Sequence, residues 1–501
     1  MKPLLNVDKD QKKHRGNSVL NTVHRSSLLV PKILDNQTYI SFLNHFLLKR
    51  DYQDVVMRLT GYKQNGESGD SKSYTINEPI VYTFCLDDLE DIENMYTCYQ
   101  VEFFCAKNLF IPFPAVIVNH ISSKSLNTVH SYNRILNDTR EDENINKIHV
   151  KEASIDFINS NKLNTFFIFQ TGLFDVEDQS LKISLEEKGS GNNNFSKNIP
   201  LKVNKMSSKK FNLNEIFSSE FLGKDINPSD YTLKILQPKQ KMFYGRLLTG
   251  IEDIETGSFS GNHSYYDSSE TQEYFTSSNP KNSTGIKNFS FRTFPFFLNA
   301  KNGIRVYPVM SEGKGVFTIY INYLRNNKIE TKLLNNFDFD NTKSTLSISI
   351  DELLNKSEEK FHNIQTFTVL YTAKENHKVP TRVNMQLIYG SNLKTNIDAS
   401  INVSLINNNA FSYDGKSSQN WIQMVNLDNY ISRLGICFAD HTESEGIANS
   451  SNLVELSFYD SSGFLIKKSF SLKFLELLEL NSKDINSKDK FGTSSALSSL
   501  S

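Results

Sequence analysis

Apolar and polar residues alternate over short stretches of this chain, and the stretches recur in a fixed order. In MRLTGY (57–62), LKISLEE (181–187) and FTIYINYL (317–324) the apolar residues fall at about every second position, as a strand with one buried face requires. Turn-forming residues follow each run: Asn65-Gly66, Gly189 to Asn194, and Asn326-Asn327, with Ser462-Gly463 in a fourth copy. Alternating runs joined by such residues predict hairpins. Each hairpin leads into a further strand that closes on an acidic step of the form Leu-Asp/Asn-Asp/Glu-Leu/Ile. The copies span Asp54–Leu89, Ser180–Phe217 and Val316–Leu354, and the fourth starts at Val454.

A second pattern follows the first three copies. Phe113–His130 aligns with Arg246–His263 without a gap, and Tyr231–Arg246 aligns with Phe367–Arg382 in the same way. A strand also precedes each hairpin: TYISFLNHFLL, NTFFIFQTGLF, GIRVYPVM and SRLGICFADH. Six or seven short strands over ~120 residues suit a sandwich or a Greek-key barrel. The predicted fold is therefore all-β, with tandem antiparallel β-sandwich-like repeats, three full units and a shorter fourth, and few short helices.

The expected boundaries are 26–140, 147–268 and 288–406 for the full units and 419–480 for the short one. An extended or disordered arm (1–25), a Ser/Thr/Asn-rich linker (269–287) and a disordered tail (481–501) complete the chain. Ser347 to Lys356 predicts one or two helical turns. Residues 473–483 read as a helix, or as a strand running into one.

Composition agrees with this picture and narrows the function. The chain has 501 residues, 38% of them hydrophobic, with 36 Phe and 21 Tyr but 1 Trp. Aromatic residues favour pleated, half-buried surfaces. The 55 basic and 56 acidic residues nearly cancel, which speaks against a dedicated nucleic-acid binder. The first residues lack the apolar core of a secretory signal, and no run is long enough to predict a membrane span. Cytoplasmic residence is the default expectation, with export lacking an N-terminal signal as the alternative. Cys85, Cys98, Cys105 and Cys437 contain no CxxC and read as reduced thiols.

The equivalent histidines His130 and His263 are the leading candidates for chemistry. Each is followed by Ser-Tyr and then polar residues. If the strands continue, His130, Tyr132 and Arg134 share one face, as do His263, Tyr265 and Asp267. Such a face could stack on and hydrogen-bond a sugar, or begin an acid–base site. The plainer explanation is shared packing, since Ala399-Ser400-Ile401 takes that place in the third unit. Arg246 and Arg382 also coincide; a guanidinium there suits an anion, though an inter-strand ion pair is the simpler expectation.

Asp338, Asp340 and Asn341 could offer oxygens to calcium, but without an EF-hand loop they read as solvated turn acids. Asp87 to Glu93 could attract a metal or a basic partner, and read first as a polar turn. Cys98 and Cys105 lack a second ligand pair for zinc. No Walker A loop, dinucleotide fingerprint, HExxH or GxSxG is present.

No cofactor and no metal are therefore expected. The leading expectation is a non-catalytic structural, assembly or interaction scaffold with a protein partner or self-assembly. The alternatives are a carbohydrate- or small-ligand-binding protein using the His-Ser-Tyr faces, and an enzyme with a site between units one and two joining His130, Arg134, Arg246 and His263.

Overall fold

The structure is a computed structural model. It describes residues 24–90, 95–105, 116–130, 133–134, 152–156, 162–187, 194–221, 231–238, 247–264, 274, 289–307, 313–340, 345–380, 383, 385–391, 397–403, 405, 418–427, 430–438, 451–485, 487 and 489–500. The first unit contains β1 (His24–Pro31), β2 (Gln37–Leu43), helix α1 (His45–Arg50), β3 (Val55–Tyr62), β4 (Ser68–Ile76), β5 (Val81–Cys85), β6 (Cys98–Cys105), β7 (Ile117–Ile121), β8 (Leu126–His130) and β9 (Asn133–Arg134). The second contains β10 (Glu152–Asp156), β11 (Leu163–Gln170), β12 (Val176–Glu187), β13 (Phe195–Val203), β14 (Ser208–Asn212), α2 (Leu213–Phe221), β15 (Tyr231–Leu236), β16 (Leu248–Asp253) and β17 (Phe259–His263).

The third contains β18 (Phe289–Pro295), β19 (Ala300–Val306), β20 (Lys314–Arg325), β21 (Lys328–Asp340), β22 (Leu346–Ser349), α3 (Ile350–Lys356), β23 (Ile364–Ala373), β24 (Met385–Ser391) and β25 (Ala399–Val403). The fourth contains β26 (Ser418–Leu427), β27 (Tyr430–Ile431), β28 (Arg433–Cys437), β29 (Ser451–Asp460), β30 (Gly463–Lys473), β31 (Leu477–Asn481) and β32 (Phe491–Leu500).

Counted within a unit, the strands fall in one order. The first sheet runs 4-3-6-1 and the second 5-2-7-8 in all three full units, and every pairing is antiparallel. The fourth unit keeps the first sheet and strands 2 and 5 of the second. The predicted architecture is thus present; among the described residues the second and third units have eight strands each, and the first has nine because β9 adds to its first sheet beside β1, where six or seven were expected. Alternation explains why. In β29 every second residue, from Asn452 to Asp460, is buried, and Val454, Leu456 and Phe458 among them enter the core of that unit. Each unit has its own cluster, centred in chain order on residues such as Phe103, Ile183, Ile319 and Leu456. Burying one such side chain contributes roughly 1.5–3 kcal/mol.

The acidic step marks the place where strand 5 ends and a helical turn starts. Leu86–Leu89 is a 3-10 turn, α2 opens Leu-Asn-Glu-Ile, and α3 opens Ile-Asp-Glu-Leu. Carboxylates in a first turn face the positive end of the peptide dipoles, and the Ser349 side chain caps α3 by accepting from Glu352 N. The helical turns expected within Ser347 to Lys356 are present. Residues 473–483 follow the second expectation, with β31 running into a 3-10 turn at Ser482–Asp484.

The tail needs correcting. Residues 491–500, expected to be disordered, form β32, which lies between β26 and β29. Its small Ser, Thr and Ala side chains carry little hydrophobic signal, and two neighbouring ladders hold its backbone. The fourth unit therefore extends past residue 480. The arm before residue 24 and all of the linker but Tyr274 lie outside the described residues. Among the described residues no helix is long and apolar enough to cross a membrane.

Contacts between units form a closed circuit. The outward face of the second unit's second sheet, with Phe166, Ile168 and Leu248, packs on Ile33 and Val129 of the first. The corresponding face of the first unit packs on the fourth, where Tyr39, Ile121 and Leu126 meet Val425 and Phe491. On the fourth unit, Gly435 lies against Pro295 and Phe297 of the third, so close that a Cβ would come within 2.8 Å of either. The third meets the second along β25, where Asn262 Nδ2 donates to Ser400 O at 3.1 Å.

Candidate functional site

The two equivalent histidines come together. β8 and β17 end at His130 and His263, opposite Ile117 and Leu248. The seam between the first two units places the strand ends side by side: His263 Nε2 lies 2.8 Å from His130 Nε2. The ring centroids are 4.4 Å apart and the planes cross at 69°. His130 is exposed and His263 is buried. His263 Nδ1 lies 3.2 Å from Ser264 O and 3.0 Å from Asn402 Nδ2, and Asn402 Nδ2 also donates to His263 O. Asn402 in turn accepts from Gln386 Nε2 at 3.0 Å, and Gln386 Oε1 accepts from the Tyr307 hydroxyl at 2.7 Å. A polar chain thus runs from the core of the third unit through the second to the surface of the first.

The shared face expected of His130 and Arg134 does not form. β8 belongs to the second sheet, whereas β9, with Asn133 and Arg134, pairs with β1 in the first. The chain changes sheets between them, so strand alternation does not carry across. Tyr132, Arg246, Tyr265, Asp267 and Arg382 lie outside the described residues, as does the Arg134 side chain. By the register of the second sheet, the strand-end position of the third unit opposite Gln386 holds Asn402, so the histidine's place is taken by Asn402 and not by Ala399.

The other acidic candidates have structural partners. Asp338 pairs with Lys374 at 2.6 Å. Asp87 and Glu90 are partly buried, and Lys32 forms ion pairs with both. The Tyr99 hydroxyl donates to the same two carboxylates, at 3.2 and 3.1 Å. Burial and these carboxylates push the Tyr99 pKa up. Cys98 and Cys105 point to opposite faces of β6. The Cys98 thiol donates to Met206 O at 2.9 Å, and burial raises its pKa. Among the described residues no group of three His, Cys, Asp or Glu could hold a metal ion.

Two features escaped sequence reasoning. His120, on β7, is fully buried beside Phe259, with Nδ1 3.3 Å from Thr38 Oγ1. Burial pushes its pKa down to about 3. Only the alternation in VIVNHI hinted that it faces inward.

The second feature is a groove of about 700 Å³ on the outward face of the third unit's second sheet. Gly303, Arg305, Ser347, Ser349, Ile388 and Asp398 line it. By register, Gly303 occupies the place of Tyr39 and Phe166. Those rings dock onto neighbouring units, and a glycine leaves the corresponding place open. The 2.9 Å between an added Cβ and Ile348 O shows why a larger residue fits poorly there.

No family model and no curated protein matches the chain.

Proposed function

We propose that this chain is a non-catalytic interaction scaffold, a rigid multi-unit body that presents surfaces to a protein partner. The observation that carries this reading is the closed circuit of inter-unit contacts. The histidines singled out as candidate chemistry lie within it, with both ring nitrogens of His263 already engaged. A buried His263 is poorly placed to receive a sugar, which weighs against the His-Ser-Tyr faces as a ligand platform.

The outer edge strands favour docking on faces over strand addition. β4, β13, β21 and β30 are edges, and they carry Lys72, Pro200, Lys332 and Lys467 among other polar residues. Charged and proline-bearing edges resist pairing with foreign strands. A partner would then meet a sheet face, and the open face around Gly303 is the natural one.

Small-angle scattering from the full chain tests the rigid-body reading. A single conformation should fit the profile and persist at high salt. A profile that demands freely rotating units would remove the reading.

The groove also favours a second reading, in which the chain binds a small polar ligand such as a saccharide. Its volume falls within the ~300–1,000 Å³ typical of ligand sites, and Lys301 and Asp398 form an ion pair at its rim. A glycan array would compare wild type with Ser347→Trp, which fills the groove from an exposed strand position. Binding by wild type that the variant loses would support this reading; equal signals from both would exclude the groove.

A further inference from the structure

We propose that His130 and His263 form a two-imidazole site for a late first-row divalent metal ion, nickel(II) or copper(II), at the seam between the first and second units. The site does not depend on the scaffold reading. It rests on how the rings are aimed. Two imidazoles joined by a straight N–H···N bond of this length would place their centroids roughly 5 Å apart. They stand 4.4 Å apart, so the ring axes are bent away from the line joining the nitrogens. Axes bent in this way can converge on a third atom beside both Nε2 positions.

The spacing selects the kind of ion. With metal–nitrogen bonds of about 2.0–2.1 Å, nitrogens 2.8 Å apart subtend roughly 85–90°. That is the cis angle of tetragonal or octahedral coordination, which copper(II) and nickel(II) favour. Tetrahedral zinc would need nitrogens about 3.3 Å apart.

The surroundings fit a ligating imidazole. A metal-bound histidine commonly donates its other ring N–H to a backbone carbonyl, which fixes the tautomer. Ser264 O is placed to accept from His263 Nδ1, which leaves Nε2 as the lone-pair donor. Asn402 Nδ2 is also near Nδ1, and it has the His263 carbonyl as its acceptor. His130 is exposed, so an ion can enter from solvent, and water can fill the remaining positions.

The test uses the full chain, stripped with a chelator and titrated calorimetrically with nickel chloride and with copper chloride. Wild type should bind one ion at this site. His130→Ala, an exposed substitution, should weaken that binding by about tenfold or more. Nickel should raise the unfolding temperature of wild type and not of His130→Ala. Copper-loaded wild type should show two equatorial nitrogens in its electron paramagnetic resonance spectrum, and His130→Ala one fewer. Absence of binding, or equal binding by both proteins, would overturn the proposal and leave the pair as a hydrogen bond sharing one proton. Because His263 is buried, His263→Ala could fail to fold, and His130→Ala then decides alone.

Discussion

A chain ending at Lys490 should lose the fold of its fourth unit. Such a truncation removes β32, which is paired along its length with β26 on one side and β29 on the other. Without it two strands lose their ladder partner, and the clustered Met424, Val454, Leu456 and Phe458 lose the sheet that aligns them. Trp421, the single tryptophan, lies on β26 opposite Ser495 and reports the event directly. Its emission should shift to that of a solvated indole, and the amides of β26 and β29 should exchange rapidly. Unchanged emission and protection would mean that β32 adds nothing to the unit. Phe491→Ala is the milder companion. Phe491 is 1% exposed and its ring lies 5.7 Å from Tyr39. Losing a buried aromatic costs about 3–5 kcal/mol, here shared between the fourth unit and its contact with the first.

Acidification should destabilise the protein through His120. Its pKa falls from 6.5 to about 3 because burial disfavours the imidazolium, and the residues packed nearest, Thr38 and Phe259, are uncharged. The unfolded chain therefore takes up this proton before the folded one. The contribution is fully present above pH 6.5 and is lost progressively as pH falls toward 3. Within that window each pH unit costs about 1.4 kcal/mol, on the order of 5 kcal/mol in all. Urea titrations of wild type and His120→Gln at pH 7, 6, 5 and 4 would isolate the effect. The two stability curves should diverge with acid, wild type falling more steeply. Parallel curves would mean that His120 is not the group responsible.

The sequence carried the architecture because strand alternation and turn residues are local properties. MRLTGY and FTIYINYL could be read without knowing what covers them. The acidic step was legible as a repeat, while its role as a helix opening needed the dihedral break after strand 5. β32 was not legible at all: its position depends on the partners at its sides, and GTSSALSSL shows little of a buried face. The equivalence of His130 and His263 could be read from the alignment. Their meeting could not, since residues separated by 133 positions approach only through the packing of one unit on the other. The same holds for Gly303, an ordinary glycine until register sets it beside Tyr39 and Phe166.

Gly435 against the third unit, and Phe491 against the first, tie the four units into a ring of contacts. A head-to-tail stack with open ends can grow by duplication, since each new member simply caps the last. Here the fourth unit is already committed to the first, through Tyr39 and Phe491. An inserted fifth copy would have to break that junction and expose two apolar surfaces at once.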